Sequence, residues 1–168
     1  MKYEIYTDGS SRGNPGKAGW GCIVMNEKKA REYSGGLKLA TNNQMEMYAV
    51  EHAMSLINSV CEEEDKITIH SDSQYTIKGL TEWIVGWEKN DWKNSQKKEV
   101  MNKDAWKRML EIKRQIKDKG IDMVLKYVKA HNGHKYNERV DLLATSAALN
   151  ETLEHYNGAL EGYDKAIL

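Results

Sequence analysis

The chain has 168 residues with 25 basic and 25 acidic side chains, the size of one ordinary domain with no net charge. That length buries a core without disulfides or structural metal, and no stretch approaches the roughly 20 apolar residues needed to span a bilayer. The amino terminus, MKYEIYTDGS, has no apolar signal region, so a monomeric cytoplasmic protein is expected.

Cys22 and Cys61 have no closely spaced Cys or His, which argues against zinc and for reduced thiols in or beside the core. Charge is unevenly placed. Residues 87–119 hold eleven Lys/Arg against six Asp/Glu, a basic region on an otherwise acidic body.

In chain order, residues 2–8 alternate as a strand and run into the turn-rich GSSRGNPGKAG. Residues 20–26 and 30–37 form a hairpin beside it. Thr41-Asn-Asn-Gln44 fits a capping box, and Met45, Ala49, Ala53 and Leu56 mark one face of the first long helix. Residues 66–71 form a β-branched strand ending at Asp72, and helical segments follow to Trp87 with a break expected at Gly79. A helix over 104–119, with Asp104 as cap and Gly120 as stop, precedes a strand over 121–128 and a last helix starting near Asn137. Beyond residue 149, Leu153, Tyr156, Leu160, Tyr163 and Ile167 have helical spacing interrupted by Gly158 and Gly162; docking on the body, a partner contact and a loose tail all stay open. An antiparallel meander followed by βα crossovers implies a mixed five-stranded sheet flanked by helices, an α/β fold.

Four acids stand where the pattern does not ask for one. Asp8 and Asp72 end strands, Glu46 borders the apolar stripe of the first helix with Val50, Ala53 and Ile57 at i+4, i+7 and i+11, and Asp141 borders an apolar face early in the last helix. Singly, each is explained as a turn residue, cap or favourable helix charge. Were they to converge, mutual repulsion would demand a cation, and oxygen-only ligands suit magnesium or manganese better than zinc. Two such ions activate water and stabilise a leaving oxygen in phosphodiester hydrolysis.

The segments YTDGS, NPG, GWG, TNNQME, SDSQY, KAHNGH and NERVD, in this order across roughly residues 2–149, resemble the signature segments of bacterial type 1 ribonuclease H. The resemblance implies a ribonuclease H-like domain over 1–149, a basic protrusion at about 83–107 and an extension over 150–168. It implies that Asp8, Glu46, Asp72 and Asp141 bind two Mg²⁺ ions, with Mn²⁺ as a substitute, and that His131 assists proton transfer or product departure. It further implies cleavage of the RNA strand of RNA/DNA hybrids to 5′-phosphate and 3′-hydroxyl ends. Asn14, Asn43 and Gln74 match residues that contact the hybrid near the cut, where 2′-hydroxyls distinguish RNA. Thr41 and Asn102 match a pocket for a phosphate of the DNA strand; the position two before Thr41, often arginine in the family, is Leu39 here, with Lys38 beside it. In the protrusion, Lys93, Lys97 and Lys98 are expected on phosphates and Trp92 against a sugar or base, although Trp83 and Trp87 at helical spacing also suit a core.

Competing readings are a hybrid-binding module without catalysis, whose expected loss of a metal acid is absent, and a DNA nuclease of the wider fold, which the TNNQ and SDSQ segments disfavour. GNPGKA lacks the first glycine and the Ser/Thr of a P-loop. A free-standing domain is expected rather than a module of a reverse transcriptase.

Overall fold

The computed structural model describes residues 1–129 and 133–167. Strands β1 (Lys2–Ser11), β2 (Gly16–Met25) and β3 (Lys29–Ala40) form the expected antiparallel meander, longer than the apolar runs alone suggest. Helix α1 (Asn42–Val60) follows, then β4 (Lys66–Ser71), α2 (Gln74–Lys78) and α3 (Ile84–Lys89). Next come α4 (Lys103–Asp118), β5 (Asp122–Tyr127) and α5 (Lys135–Ala148). The tail adds β6 (Asn157–Ala159) and a short α6 (Tyr163–Ala166).

The sheet order is β5-β4-β1-β2-β3-β6, with β1 parallel to β4 and β4 parallel to β5. Central β1 is buried on both faces, so its alternation feeds two cores. Ile5 joins Cys22, Met45, Ala49, Ala53, Ile57 and Trp106 on the side of α1 and α4. Tyr6 joins Ile23, Val140, Leu143 and Tyr163 on the side of α5 and the tail. Both cysteines are buried free thiols.

The capping box forms as the sequence predicts: Gln44 N donates to Thr41 Oγ1 at 3.1 Å and Thr41 N to Gln44 Oε1 at 2.9 Å. At Gly79 the α-helix ends, as expected, but the chain stays helical. A π-helical segment, Gly79–Trp83, carries α2 into α3, and a Cβ on Gly79 would lie 2.1 Å from the Trp106 ring; the glycine admits that indole. Asp104 does not cap α4. Asn102 holds that position at φ +61°, with Asp104 in the first turn, while Gly120 at φ +75° follows the end of the helix as expected.

The sheet has six strands rather than five. Residues 157–159 pair antiparallel with β3, Lys29 opposite Ala159 and Arg31 opposite Asn157. Leu153, Tyr156, Leu160, Tyr163 and Ile167 all reach the second core, but around a short strand, a 3₁₀ turn (Leu160–Gly162) and α6. Their apolar spacing records burial; the two glycines prevent a single helix.

Candidate metal and nucleic-acid site

Register builds the site. Parallel β1 and β4 place Tyr6 opposite His70, so two residues further on Asp8 and Asp72 emerge together where β4 ends. Thr7 Oγ1 donates to the His70 carbonyl at 3.0 Å and ties the strands beside them. Gly9 then brings α1 in: a Cβ there would stand 2.4 Å from Glu46 N and from the Met45 carbonyl carbon. Because that space holds backbone, Gly9 N donates at 2.9 Å both to Asp8 Oδ1 and to Glu46 Oε1. One oxygen from each of Asp8, Glu46 and Asp72 lies within 4.8 Å of the others. Asp141, on α5 against the opposite face of the sheet, lies beside Asp8 and interacts with it directly, but stands outside the group of three acids.

The crowding is electrostatically unfavourable in the metal-free protein. Burial, foremost, raises the Asp8 carboxyl; the hydrogen bond with Glu46 opposes the shift, and the charges of Asp72 and Asp141 add to it. Glu46 is raised too, by burial and then by Asp8, with Gly9 N alone pulling the other way. Glu46 Oε2 is buried with no hydrogen-bond partner among the described residues. An unsatisfied, desolvated carboxylate oxygen facing two further carboxylates is the donor set a hard cation requires, so the residues fit a divalent ion.

Around this centre, Asn14 Oδ1 accepts from Asn42 N at 3.1 Å, and Asn42 Oδ1 accepts from Ser11 N at 2.9 Å, pinning the loop after β1 to the start of α1. Asn43 and Gln74 are exposed at the first turns of α1 and α2. Thr41 and Asn102, far apart in sequence, meet through Gln44, whose Nε2 donates to Asn102 Oδ1 at 3.4 Å; Asn102 Nδ2 donates to Tyr75 OH at 3.2 Å. Two helix N-termini thus converge, an arrangement suited to an anion. Gln44 and Tyr75 were not singled out from sequence, though the capping box already placed Gln44 beside Thr41. Leu39 is 69% exposed.

In the basic region, Lys93, Lys97 and Lys98 are exposed on a turn organised by Asn94 Oδ1, which accepts from Gln96 N and Lys98 N. Trp92 corrects the sequence reading. It is 8% exposed, held inward by bonds from its N to Trp87 O and from Val100 N to its carbonyl, with Lys107 over its ring, so it packs the core instead of meeting a ligand. Trp83 meets Trp87 and Trp87 meets Trp106 with tilted rings; Trp87 and Trp106 pack as core spacing predicts, whereas Trp83 stays exposed. His131 lies outside the described residues. His134 is structural: its ring caps α5, accepting from Tyr136 N at 3.3 Å, and stacks on Tyr6.

Fold and cluster together define an α/β protein with a group of oxygen donors suited to a cation where β4 ends beside β1. The chain belongs to the RNase H family, whose model matches residues 1–149, and is thereby a hydrolase of the nuclease class. It is 41% identical over 150 residues to a Ribonuclease H of Novosphingobium aromaticivorans, covering 89% of this chain and 99% of that one. To Ribonuclease HI of Caulobacter vibrioides it is 42% identical over 156 residues, covering 93% and 95%. Among solved structures, LC9-RNase H1, a type 1 RNase H with the type 2 active-site motif, superposes with a TM-score of 0.78 at 22% identity, covering 98% of this chain and 80% of that one. LC11-RNase H1, solved in complex with RNA/DNA hybrid, gives 0.64 at 20% identity, covering 88% and 97%.

Proposed function

We propose that this protein is a magnesium-dependent endonuclease that hydrolyses the RNA strand of RNA/DNA hybrids, leaving 5′-phosphate and 3′-hydroxyl ends. The observation that carries the reading is the orphaned Glu46 oxygen set among the carboxylates of Asp8 and Asp72. Two Mg²⁺ ions held by Asp8, Glu46, Asp72 and Asp141 would supply the positive charge that activates a water and stabilises the departing oxygen. Gly9 N holds Asp8 and Glu46 in their relative positions by donating to both. Asn14, Asn43 and Gln74 line the approach and offer amides to 2′-hydroxyls, the groups that separate RNA from DNA. The Thr41–Asn102 pair takes a DNA-strand phosphate at the two helix N-termini, and Lys93, Lys97 and Lys98 add salt-dependent phosphate contacts. His131 assists proton transfer or product departure. The hybrid-bound relative LC11-RNase H1 supports the choice of substrate.

The test is cleavage of labelled RNA/DNA hybrid, duplex RNA and duplex DNA of one sequence, with magnesium and with chelator, beside the Asp72→Asn variant. Magnesium-dependent cutting of the hybrid's RNA strand alone, lost in the variant while hybrid binding persists, is expected. Binding without cutting in either magnesium or manganese would make the protein a binding module, and cutting of duplex DNA would place its activity elsewhere in the wider fold.

A further inference from the structure

The tail beyond the family match is tied both to β3 and to the helix that carries Asp141. Glu32 points from β3 into the second core and is 4% exposed. Its Oε2 accepts from Arg139 Nε at 2.6 Å and from Tyr163 OH at 2.8 Å; its Oε1 accepts from Arg139 Nη2 and from Tyr156 N, both at 2.8 Å. One carboxylate thus takes two hydrogen bonds from α5 and two from the tail. A second tie lies one turn earlier, where Asp164 accepts from Tyr136 OH at 2.6 Å and pairs with Lys135 at 2.5 Å. The Tyr163 ring stacks on Tyr136 at 5.8 Å and 12°.

These ties fix α5 at residues 135, 136 and 139, and Asp141 follows Arg139 by less than one turn. A helix moves as a rigid unit, so slack of an ångström at Arg139 is slack of an ångström at Asp141, and misplacement on that scale costs catalytic sites on the order of 100-fold. We infer that residues 150–167 form a strap that seats α5 on the sheet, and that Tyr163 and Asp164 are positioning residues for Asp141 beside Asp8. The inference rests on the nuclease reading above.

The experiment compares the full chain with the double variant Tyr163→Phe/Asp164→Asn, with Tyr163→Phe alone, and with Ile116→Val, a core change on α4 that lowers stability without touching α5. Three quantities are read: the magnesium concentration for half-maximal hybrid cleavage, the rise in Tm on adding magnesium without nucleic acid, and hybrid affinity in chelator. The double variant is expected to need roughly 10-fold more magnesium, as when groups that orient metal ligands are lost. Its magnesium-induced rise in Tm shrinks and its hybrid affinity is unchanged. Tyr163→Phe moves the same quantities by a smaller factor, and Ile116→Val moves Tm alone. A wild-type magnesium requirement and magnesium-induced rise in the double variant, whatever its Tm, would overturn the strap. A wild-type protein that neither cuts hybrid nor melts higher with magnesium would instead sink the nuclease reading and take the strap with it.

Discussion

Replacing Glu46 by glutamine is expected to stabilise the metal-free protein while removing its response to magnesium. In the wild type Glu46 Oε2 is buried without a hydrogen-bond partner among the described residues, and the carboxyl is pushed above its ordinary range by burial and then by Asp8. The amide keeps an oxygen for Gly9 N and turns the orphaned acceptor into a donor beside Asp8. An unsatisfied buried polar atom costs about 1–3 kcal/mol, and more when charged. Recovering about 2 kcal/mol in a chain of this size raises Tm by roughly 4–8 °C. The pH dependence has a definite sign. Groups with raised folded pKa bind more protons folded than unfolded, so metal-free stability falls as pH climbs from the ordinary carboxylate values through the raised ones. Melts in chelator from pH 5 to pH 8 should therefore show a falling Tm for the wild type and a flatter line for Glu46→Gln, while magnesium raises Tm only in the wild type. A variant that melts lower than wild type in chelator, or keeps the full magnesium shift, would refute the view that repulsion within this cluster is what a cation relieves.

Gly9→Ala should force β1 and α1 apart, since its Cβ would meet backbone at 2.4 Å; a loss of about 1–3 kcal/mol by denaturant titration and a large fall in hybrid cleavage are expected. Neutralising Lys93, Lys97 and Lys98 together should weaken hybrid binding and reduce the slope of log K against log salt by about 2–3, with turnover at saturating substrate little changed; an unchanged slope would remove these lysines from the interface. Glu32 behaves oppositely to the acid cluster: burial pushes its carboxyl up, but hydrogen bonds from Arg139, Tyr156 and Tyr163 outweigh that and hold it low. Its stabilisation is complete above the ordinary glutamate value and lost as pH falls through the depressed one. Glu32→Gln should accordingly cost about 3 kcal/mol or more near neutrality and progressively less below pH 4, measured by melts across that range.

Much of the site was legible because it is made of residues that violate local pattern. Asp72 follows the end of β4 as expected and Glu46 crowds an apolar stripe, whereas Asp8, expected at a strand end, lies inside β1, which runs on to Ser11. What the sequence withheld was the parallel register of β1 on β4, a long-range pairing that no local periodicity encodes, and the glycine contact that lets α1 come within hydrogen-bonding distance. Glu32 was missed although its signal was present: it shares a strand face with Ala30, an inward position where a charge needs a partner, and that partner, Arg139, lies 107 residues away. Trp92 misled because a tryptophan among lysines looks like a base-stacking platform, whereas the turn after α3 folds it inward beside Val100. In the tail, apolar spacing correctly announced burial but not shape, since glycines at 158 and 162 exchange a helix for a strand and a turn.

The position of β1 at the centre of the sheet separates the site into two mechanical regimes. The strand that carries Asp8 is paired on both sides as far as Tyr6, and Ile5 and Tyr6 are buried in the two opposite cores, so the amide hydrogens of this stretch should exchange only when the whole molecule opens. The turn bearing Lys93, Lys97 and Lys98 is exposed and held by a few local bonds, and can open alone at little expense. Changes in that turn are thus free to tune how tightly nucleic acid is gripped without disturbing the carboxylates, so affinity and chemistry can drift independently within one fold.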